Sequence, residues 1–393
     1  MTVITAPRAH RVPVALGACL LSFAAFWCAQ RAAHVSMIDL MVYRAEGETV
    51  RAGGDLYALR TTEAHLPTTY PPFAALLFTP LTLLDTAAVR TLATAGNLAL
   101  LVAFVALSLR LAGHARVESV WWVSAAAVWC EPVWTTLRYG QINLLLAVLV
   151  LWDLSRRPGH RWAGAGIGLA AAVKLTPALF AVFLLVTGFV EYLRRGSGGP
   201  WSRHAGTAAA TFAGATLLAA AVLPYDSWRF WTRMVFEAGR VGLVEDTANQ
   251  SLRGVLARLL HTTEPGVWWA ATAAVAAAGG LGLAVVAELR GRRPWAVVAC
   301  AVTALLVSPV SWSHHWVWCV PMTLLLAATC RTAALCTAPV FFSYALWWVP
   351  HGPGRLELDQ SGVELTLSAL YVGAGSAFLV LTGVRLSRTC RTV

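Results

Sequence analysis

Residues 91–109 read TLATAGNLALLVAFVALSL, and none of them is charged. Arg110 and Arg116 come next. An α-helix needs about 20 largely apolar residues to cross a bilayer, and Lys and Arg collect in loops on the cytoplasmic side. This stretch therefore predicts a membrane-spanning helix whose C-terminal end faces the cytoplasm.

The composition of the whole chain agrees with this stretch. Of 393 residues, 58% are hydrophobic and 12% are charged, against about 25% charged in a soluble domain. So much apolar surface is hidden only by lipid, or inside a helix bundle that lies in lipid. Because no stretch is polar enough for a separate soluble domain, we expect an all-α polytopic membrane protein forming one domain over residues 1–393.

The net charge of +11 raises the question of nucleic-acid binding. Most basic residues lie in short clusters between apolar runs, and the sequence has no Lys/Arg-rich arm. We therefore expect no nucleic-acid partner and interpret the surplus as a topology signal. The single lysine, Lys174, is the exception, because it lies inside an apolar run.

One threading of the chain places every basic cluster on the cytoplasmic side, together with both termini. The basic residues concerned are Arg8, Arg11, Arg110, Arg116, Arg156, Arg157, Arg161, Arg194, Arg195, Arg203, Arg290, Arg292, Arg293, Arg331, Arg385, Arg388 and Arg391. The resulting spans, about twelve in all, are 12–29, 91–109, 118–134, 140–154, a broken pair within 162–193, 205–224, 266–289, 295–311, 315–330, 332–349 and 363–384.

Two long loops remain on the extracytoplasmic side, at residues 30–90 and 225–265. In the first loop, the apolar piece 73–84 is too short to span comfortably. The segment 162–193 has basic flanks on both sides, so it crosses twice or dips in and returns, and Lys174-Leu175-Thr176-Pro177 supplies the break. The sequence leaves open whether 73–84 and 162–177 span the membrane or re-enter.

Ionisable side chains at a membrane are costly, so each of them is a candidate for function. Asp39 follows the first span and could accept a proton from a substrate hydroxyl. It could equally cap a helix or pair with Arg44. Lys174 could hold an anion such as a lipid phosphate, or it could pair with a buried carboxylate or extend to the interface.

Further polar candidates lie at the same predicted face. Adjacent residues such as His314 and His315 point about 100° apart on a helix, so alone they form no two-ligand metal site; an interfacial Trp/His belt is the alternative. Amides at the start of a span, Gln141 and Asn143, could merely pair helices. The remaining candidates are Tyr70, Asn249, Gln250 and Arg253.

Several common chemistries have no motif in this sequence. It contains no G-x-x-x-x-G-K-[ST] loop, no G-x-S-x-G elbow, no H-E-x-x-H and no C-x-x-C pair. No Rossmann-like domain fits either, so a group-transfer enzyme of this kind would take its donor from a lipid carrier.

Six motifs in order resemble a known family. They are Asp-Leu-x-Val-Tyr at 39–43, Tyr-Pro-Pro at 70–72, Gly-Gln-x-Asn at 140–143, Lys-Leu-Thr-Pro at 174–177, Asn-Gln-Ser-Leu-x-Gly at 249–254 and Ser-Pro-x-Ser-Trp-x-His-His at 308–315. Over about three quarters of the chain, this pattern is similar to the actinobacterial polyprenol-phosphate-mannose-dependent α-(1→2) mannosyltransferases of glycosyltransferase family 87.

The resemblance implies a GT-C membrane fold, an extracytoplasmic active site, and a polyprenyl-phosphate sugar as donor. It also implies that Asp39 is the catalytic base. Inverting transfer needs one base and a cationic environment for the departing phosphate. The expected phosphate-binding residues are His314, His315, Lys174 and Arg253, and the expected sugar-binding residues are Gln141, Asn143, Asn249, Gln250 and Tyr70.

The expected acceptor is a cell-envelope glycolipid or glycan. No cofactor is required, and no divalent cation, because side-chain cations can balance a monophosphate leaving group. The sequence leaves the donor sugar open, since related enzymes transfer arabinofuranose. A transporter or lipid flippase is the rival class, although the polar residues lie mostly on one face and no repeated halves are visible. An intramembrane hydrolase using Ser311 or Ser313 with His314 lacks an oxyanion-hole motif.

Overall fold

The computed structural model describes residues 11–114, 116–157 and 159–389. Arg8 and Arg391, which belong to the predicted cytoplasmic set, lie outside these residues. The described chain is helical apart from a two-stranded antiparallel hairpin, β1 (Arg60–Thr61) with β2 (Leu66–Pro67).

The helices, in chain order, are α1 (Arg11–Ala32), α2 (Ile38–Ala52), α3 (Pro72–Phe78), α4 (Thr86–Leu111), α5 (Val117–Ala127), α6 (Glu131–Tyr139), α7 (Asn143–Leu154), α8 (Ala165–Val173), α9 (Ala178–Arg195), α10 (Gly199–Val222), α11 (Pro224–Thr232), α12 (Leu252–Leu259), α13 (Gly266–Leu289), α14 (Arg293–Val307), α15 (Cys319–Thr329), α16 (Arg331–Phe342), α17 (Val363–Ser368) and α18 (Leu370–Thr389).

The expected polytopic membrane protein is confirmed. Among the described helices, α1, α4, α10, α13 and α18 are long and apolar enough to cross a bilayer, and α6 with α7 adds a sixth candidate bent by 118°. Four of the long helices match the predicted spans 12–29, 91–109, 205–224 and 266–289, whereas the predicted span 363–384 divides into the short helix α17 and the long helix α18, which begins at Leu370.

Other predicted spans are shorter or interrupted. The expected span 118–134 divides into α5 and α6, with Pro132 in the first turn of α6. The expected span 140–154 becomes α7, which has only 12 residues. The spans 295–311, 315–330 and 332–349 become helices of 15, 11 and 12 residues. The predicted boundaries of these spans are too wide, because an apolar sequence does not distinguish a helix from the apolar turns that follow it.

The short helix α14 lies in the core of the bundle. Every residue from Trp295 to Leu306 is buried, and α14 packs against α13, α18 and α9. Because protein surrounds this helix on all sides, its entire circumference is apolar.

The break predicted at Lys174 is confirmed. Helix α8 ends at Val173 and α9 begins at Ala178. Lys174 itself is extended, with φ −147° and ψ 127°. Pro177 precedes α9 and lacks the N–H that would continue the helix. Because the helix is interrupted here, the Lys174 side chain faces one end of the bundle instead of the next turn of a helix.

The two long polar loops form one layer over that end. The Arg229 guanidinium donates to both carboxylate oxygens of Asp55, at 2.8 and 2.7 Å. The Leu56 N–H also donates to Asp226 Oδ1 at 3.2 Å. Since Asp55 and Leu56 belong to the loop 30–90 while Asp226 and Arg229 belong to the loop 225–265, these contacts fasten the two loops together.

Candidate active site

A cavity of about 510 Å³ lies beneath the joined loops. Its walls come from the start of α2, the turn between α6 and α7, the α8–α9 break and the segment 308–315. Six of the ten residues predicted for the site line it: Asp39, Tyr70, Gln141, Lys174, His314 and His315. A seventh, Asn143, lines a smaller adjoining cavity of about 50 Å³ that shares Lys174 and His315 with the first.

Asp39 is the second residue of α2, and its carboxylate is half-buried at the helix N-terminus. The exposed amides and dipole of a helix N-terminus favour a negative charge there. Desolvation by burial nevertheless raises the pKa of Asp39 to about 6, while a hydrogen bond from Gln141 and the charge of Lys174 act in the opposite direction. At neutral pH this carboxylate is therefore ionised, with a pKa suited to accepting a proton.

Gln141 holds the Asp39 carboxylate in a defined orientation. Its Nε2 donates to Asp39 Oδ2 at 2.7 Å, and its Oε1 accepts from the Tyr43 hydroxyl at 2.8 Å and from the Tyr70 hydroxyl at 3.1 Å. Because the two phenols donate to the amide oxygen, the amide nitrogen must face the carboxylate. Tyr43, a buried member of this network, was not among the predicted site residues.

A glycine allows Gln141 to reach α2. Gly140 ends α6 with φ +69°, a left-handed conformation that suits glycine. A Cβ at this position would lie 2.7 Å from Leu40 Cβ, beside Asp39. The motif Gly140-Gln141 thus combines a turn with a close approach between the α6–α7 corner and α2.

The opposite wall of the cavity is cationic. The Lys174 ammonium donates to Asn143 Oδ1 at 3.2 Å and contacts His315 Nε2 at 2.8 Å. It also lies 5.4 Å from the centre of the Tyr70 ring. An ammonium group only donates, so His315 accepts through Nε2 and carries its proton on Nδ1.

His314 is fixed through its backbone. Its carbonyl accepts from Thr136 Oγ1 at 2.9 Å and from Asn143 Nδ2 at 3.0 Å. Within the described part of the chain, its buried Nε2 has no hydrogen-bond partner. Other atoms of the His314 residue line the cavity, so the residue borders the site while its Nε2 is enclosed by protein.

A buried carboxylate that was not predicted supports the histidine segment. Glu131 Oε1 accepts from Thr135, Ser313 and the Trp347 indole at 2.8, 2.9 and 3.1 Å, and Oε2 accepts from the Tyr371 hydroxyl at 2.8 Å. The bond to Ser313 anchors the residue that precedes His314. The sequence does contain a signal for Glu131: it is an acidic residue inside the expected span 118–134, and such residues are rare in membrane segments.

Three predicted residues lie away from the cavity. Asn249 and Gln250 are fully buried: Asn249 Oδ1 accepts from the Ser311 N–H at 3.0 Å, and Gln250 Nε2 donates to the Ser368 carbonyl at 2.6 Å. Arg253 packs over the Trp269 ring, 5.0 Å from its centre. Asn249 and Gln250 therefore support the segment 308–315 from behind, and none of the three reaches the cavity wall.

Metal-binding side chains are not clustered in the described residues. Across residues 11–114, 116–157 and 159–389, no group of three or more His, Cys, Asp or Glu side chains is arranged to hold a metal ion. Independence from divalent cations stays a prediction.

The sequence of the chain matches the model of glycosyltransferase family 87 over residues 69–309, which is more than half of its length. The chain belongs to glycosyltransferase family 87. The family predicted from six motifs is therefore confirmed, and this family 87 protein is an enzyme of the glycosyltransferase class.

Curated relatives of this family 87 chain come from mycobacteria. A polyprenol-phosphate-mannose-dependent alpha-(1-2)-phosphatidylinositol mannoside mannosyltransferase of Mycobacterium tuberculosis is 34% identical over 80% of this chain and 76% of its own. The protein of that name from Mycolicibacterium smegmatis is 34% identical over 90% and 85%. A phosphatidylinositol pentamannoside mannosyltransferase of M. tuberculosis is 33% identical over 81% and 73%. No solved structure matches the chain.

Proposed function

We propose that this family 87 chain transfers mannose from polyprenyl-phosphate mannose to a cell-envelope glycolipid, forming an α-(1→2) linkage with inversion. The observation that carries the proposal is that a single cavity holds an oriented carboxylate, Asp39, and a cationic group, Lys174 with its histidine partner. The relatives, whose names specify this donor and phosphatidylinositol mannoside acceptors, supply the substrate class.

The proposed reaction uses the residues on the two opposite walls of the cavity, Asp39 on one and Lys174 on the other. Asp39 Oδ accepts the proton of an acceptor hydroxyl as its oxygen attacks C1 of the donor sugar. The bond between C1 and the phosphate oxygen breaks, and polyprenyl phosphate leaves with an additional negative charge. Lys174, which is already desolvated and positioned, stabilises that charge, and the cavity-lining residues His314 and His315 complete the anion site. Retaining transfer would need a second carboxylate in the cavity to act as nucleophile. Among the described residues, the other carboxylate that lines this cavity, that of Glu237, is exposed to solvent.

The chain is further proposed to adopt a GT-C arrangement with about twelve crossings, cytoplasmic termini and an extracytoplasmic cavity. Arg290 and Arg293 contact residues that lie next to other basic clusters in the sequence, and these contacts support the orientation. Arg293 donates to the Leu154 carbonyl at 3.2 Å and packs over Trp201 at 4.8 Å, and Arg290 donates to the Leu386 carbonyl at 2.6 Å. Clusters that the sequence placed in the cytoplasm therefore lie next to one another, and none of these residues lines the cavity.

A donor screen tests the proposal. Membranes containing the protein are supplied with radiolabelled polyprenyl-phosphate mannose or polyprenyl-phosphate arabinofuranose, and the product linkage is determined. We expect mannose transfer with an α-(1→2) linkage. Exclusive arabinofuranosyl transfer would contradict the donor assignment, and substrate transport into sealed vesicles without glycosyl transfer would favour the transporter class.

A further inference from the structure

Trp312 is an aromatic residue of the cavity wall whose ring is unpaired. The other aromatic side chains there pack in pairs: Tyr43 stacks on Phe78 with ring centres 4.4 Å apart, and Phe230 stacks on Tyr57 at 5.8 Å. Throughout the described residues, no aromatic ring or cation packs against the half-buried Trp312 indole, and its Nε1 has no hydrogen-bond partner. That N–H is not enclosed by protein, and Trp312 is one of the residues that line the cavity.

The indole is nevertheless held in place. Trp312 forms a single antiparallel bridge with Asn249, and the residues on either side of it are anchored, Ser311 to Asn249 and Ser313 to the buried Glu131. Gly242 lies against the ring: a Cβ on Gly242 would be 2.6 Å from Trp312 Cζ2, and its φ of +140° is a conformation that other residues rarely adopt. Backbone therefore packs directly against the Cζ2–Cη2 part of the half-buried ring.

A fixed aromatic face with a free N–H donor matches the surface of a sugar ring. A pyranose presents C–H groups on its faces and hydroxyls at its edge, so an indole offers apolar contact to the former and a hydrogen bond to the latter. Because the platform is already ordered, little conformational entropy is lost when the sugar binds.

The position of Trp312 identifies which sugar it contacts. Lys174 and His315 line both the main and the adjoining cavity, so they mark the inner end, where the proposed donor phosphate binds. Gly242, which lies against the Trp312 ring, belongs to the loop 225–265, and this loop forms part of the layer that covers the cavity. We propose that the Trp312 indole is the platform for the acceptor's sugar ring, with the reacting hydroxyl directed to Asp39. This inference rests on the proposed function and specifies its acceptor subsite.

Steady-state kinetics of Trp312→Ala and Trp312→Phe test the platform, with polyprenyl-phosphate mannose as donor and octyl α-mannoside as acceptor. We expect Trp312→Ala to raise the acceptor KM about tenfold, while the donor KM stays unchanged. Trp312→Phe keeps a ring face and loses the N–H, so its acceptor KM should lie between those of Trp312→Ala and the wild type. Trp228, a 61% exposed tryptophan of α11, gives the matched control Trp228→Ala, which should leave both KM values unchanged.

The outcomes separate this inference from the function on which it rests. Absence of glycosyl transfer by the wild-type protein with either sugar donor would overturn the proposed function. Wild-type transfer combined with an unchanged acceptor KM in Trp312→Ala, or with a raised donor KM instead, would overturn only the platform. If Trp312→Ala does not fold, Trp312→Phe and Gly242→Ala, which displaces the ring, carry the test through the same KM comparison.

Discussion

Gln141 Nε2 donates a 2.7 Å hydrogen bond to Asp39 Oδ2, and these two residues lie 102 positions apart in the chain. The bond connects the first turn of α2 to the corner between α6 and α7. It provides a carboxylate whose position is set by the packing of two helices rather than by its own loop.

Replacing Asp39 by Asn removes the proposed base without changing the size of the side chain. We expect transfer to fall by a factor of about 10²–10⁴, the usual contribution of a general base, while expression and membrane insertion are unchanged. Radiolabelled mannose transfer in membranes measures the loss. Glu48→Gln on the exposed side of the same helix is the control, and wild-type-like transfer by Asp39→Asn would refute the assignment.

The activity should depend on pH through Asp39. With a pKa of about 6, the carboxylate is increasingly protonated below pH 6, so kcat/KM should fall about tenfold for each further pH unit. Gln141→Leu removes a hydrogen bond to the ionised form, which raises the pKa of Asp39 further. The acidic limb of the profile should therefore move to higher pH, and a profile identical to that of the wild type would contradict the role given to Gln141.

Lys174 is expected to stabilise the leaving phosphate. Lys174→Met keeps the apolar stem and removes the charge, so kcat should fall about 10²-fold or more. Arg253, which the sequence also suggested for the phosphate, packs on Trp269 away from the cavity, and Arg253→Met should change kcat by no more than about twofold. Equal losses in the two variants would show that the cationic wall is wrongly assigned.

Glu131 is expected to be important for stability as well as for the position of His314. Glu131→Ala leaves three buried donors and one half-buried donor without an acceptor, and we expect it to lower the free energy of unfolding by about 3 kcal/mol or more. Thermal unfolding in detergent measures this change. Glu118→Ala, at a half-buried position in the first turn of α5 with no hydrogen-bond network around it among the described residues, should have little effect, and an equally small effect of Glu131→Ala would contradict the network.

Gly140 can be compared with a second glycine of similar backbone conformation. Gly140 has φ +69° and a Cβ there would meet Leu40 at 2.7 Å, whereas Gly53 has φ +66° and open space around it. Gly53→Ala should cost only about 1 kcal/mol for the left-handed conformation. Gly140→Ala should also separate Gln141 from Asp39 and reduce transfer. If both variants retain full transfer, the close approach of the corner to α2 is not required for activity.

Part of the site followed from the sequence because costly residues stand out against an apolar background. Asp39, Lys174 and the adjacent histidines are ionisable groups at the membrane, so each was identifiable without knowing its neighbours. Glu131 is equally costly, yet it lies inside an expected span, and three of its four partners, Ser313, Trp347 and Tyr371, come from distant segments of the chain. No local pattern indicates that such a set will meet.

The same limit applies to the three predicted residues that the structure places away from the cavity. Asn249, Gln250 and Arg253 belong to a motif next to the site, and their residue types suit sugar and phosphate binding. The structure uses Asn249 and Gln250 for backbone hydrogen bonds, because a buried turn must satisfy its polar groups, and leaves Arg253 stacked on a tryptophan.

The sequence by itself determined the membrane class, the positions of the long helices, the break at Lys174 and the family. These properties depend on hydrophobic length, proline and short motifs, each of which is contained within one continuous stretch of the chain. Only the tertiary structure decided that Gln141 orients Asp39, that His315 accepts from Lys174, and that Trp312 presents an unpaired ring. Each of these relationships joins segments far apart in the chain, and their geometry is set by helix packing and by close backbone contacts at Gly140 and Gly242.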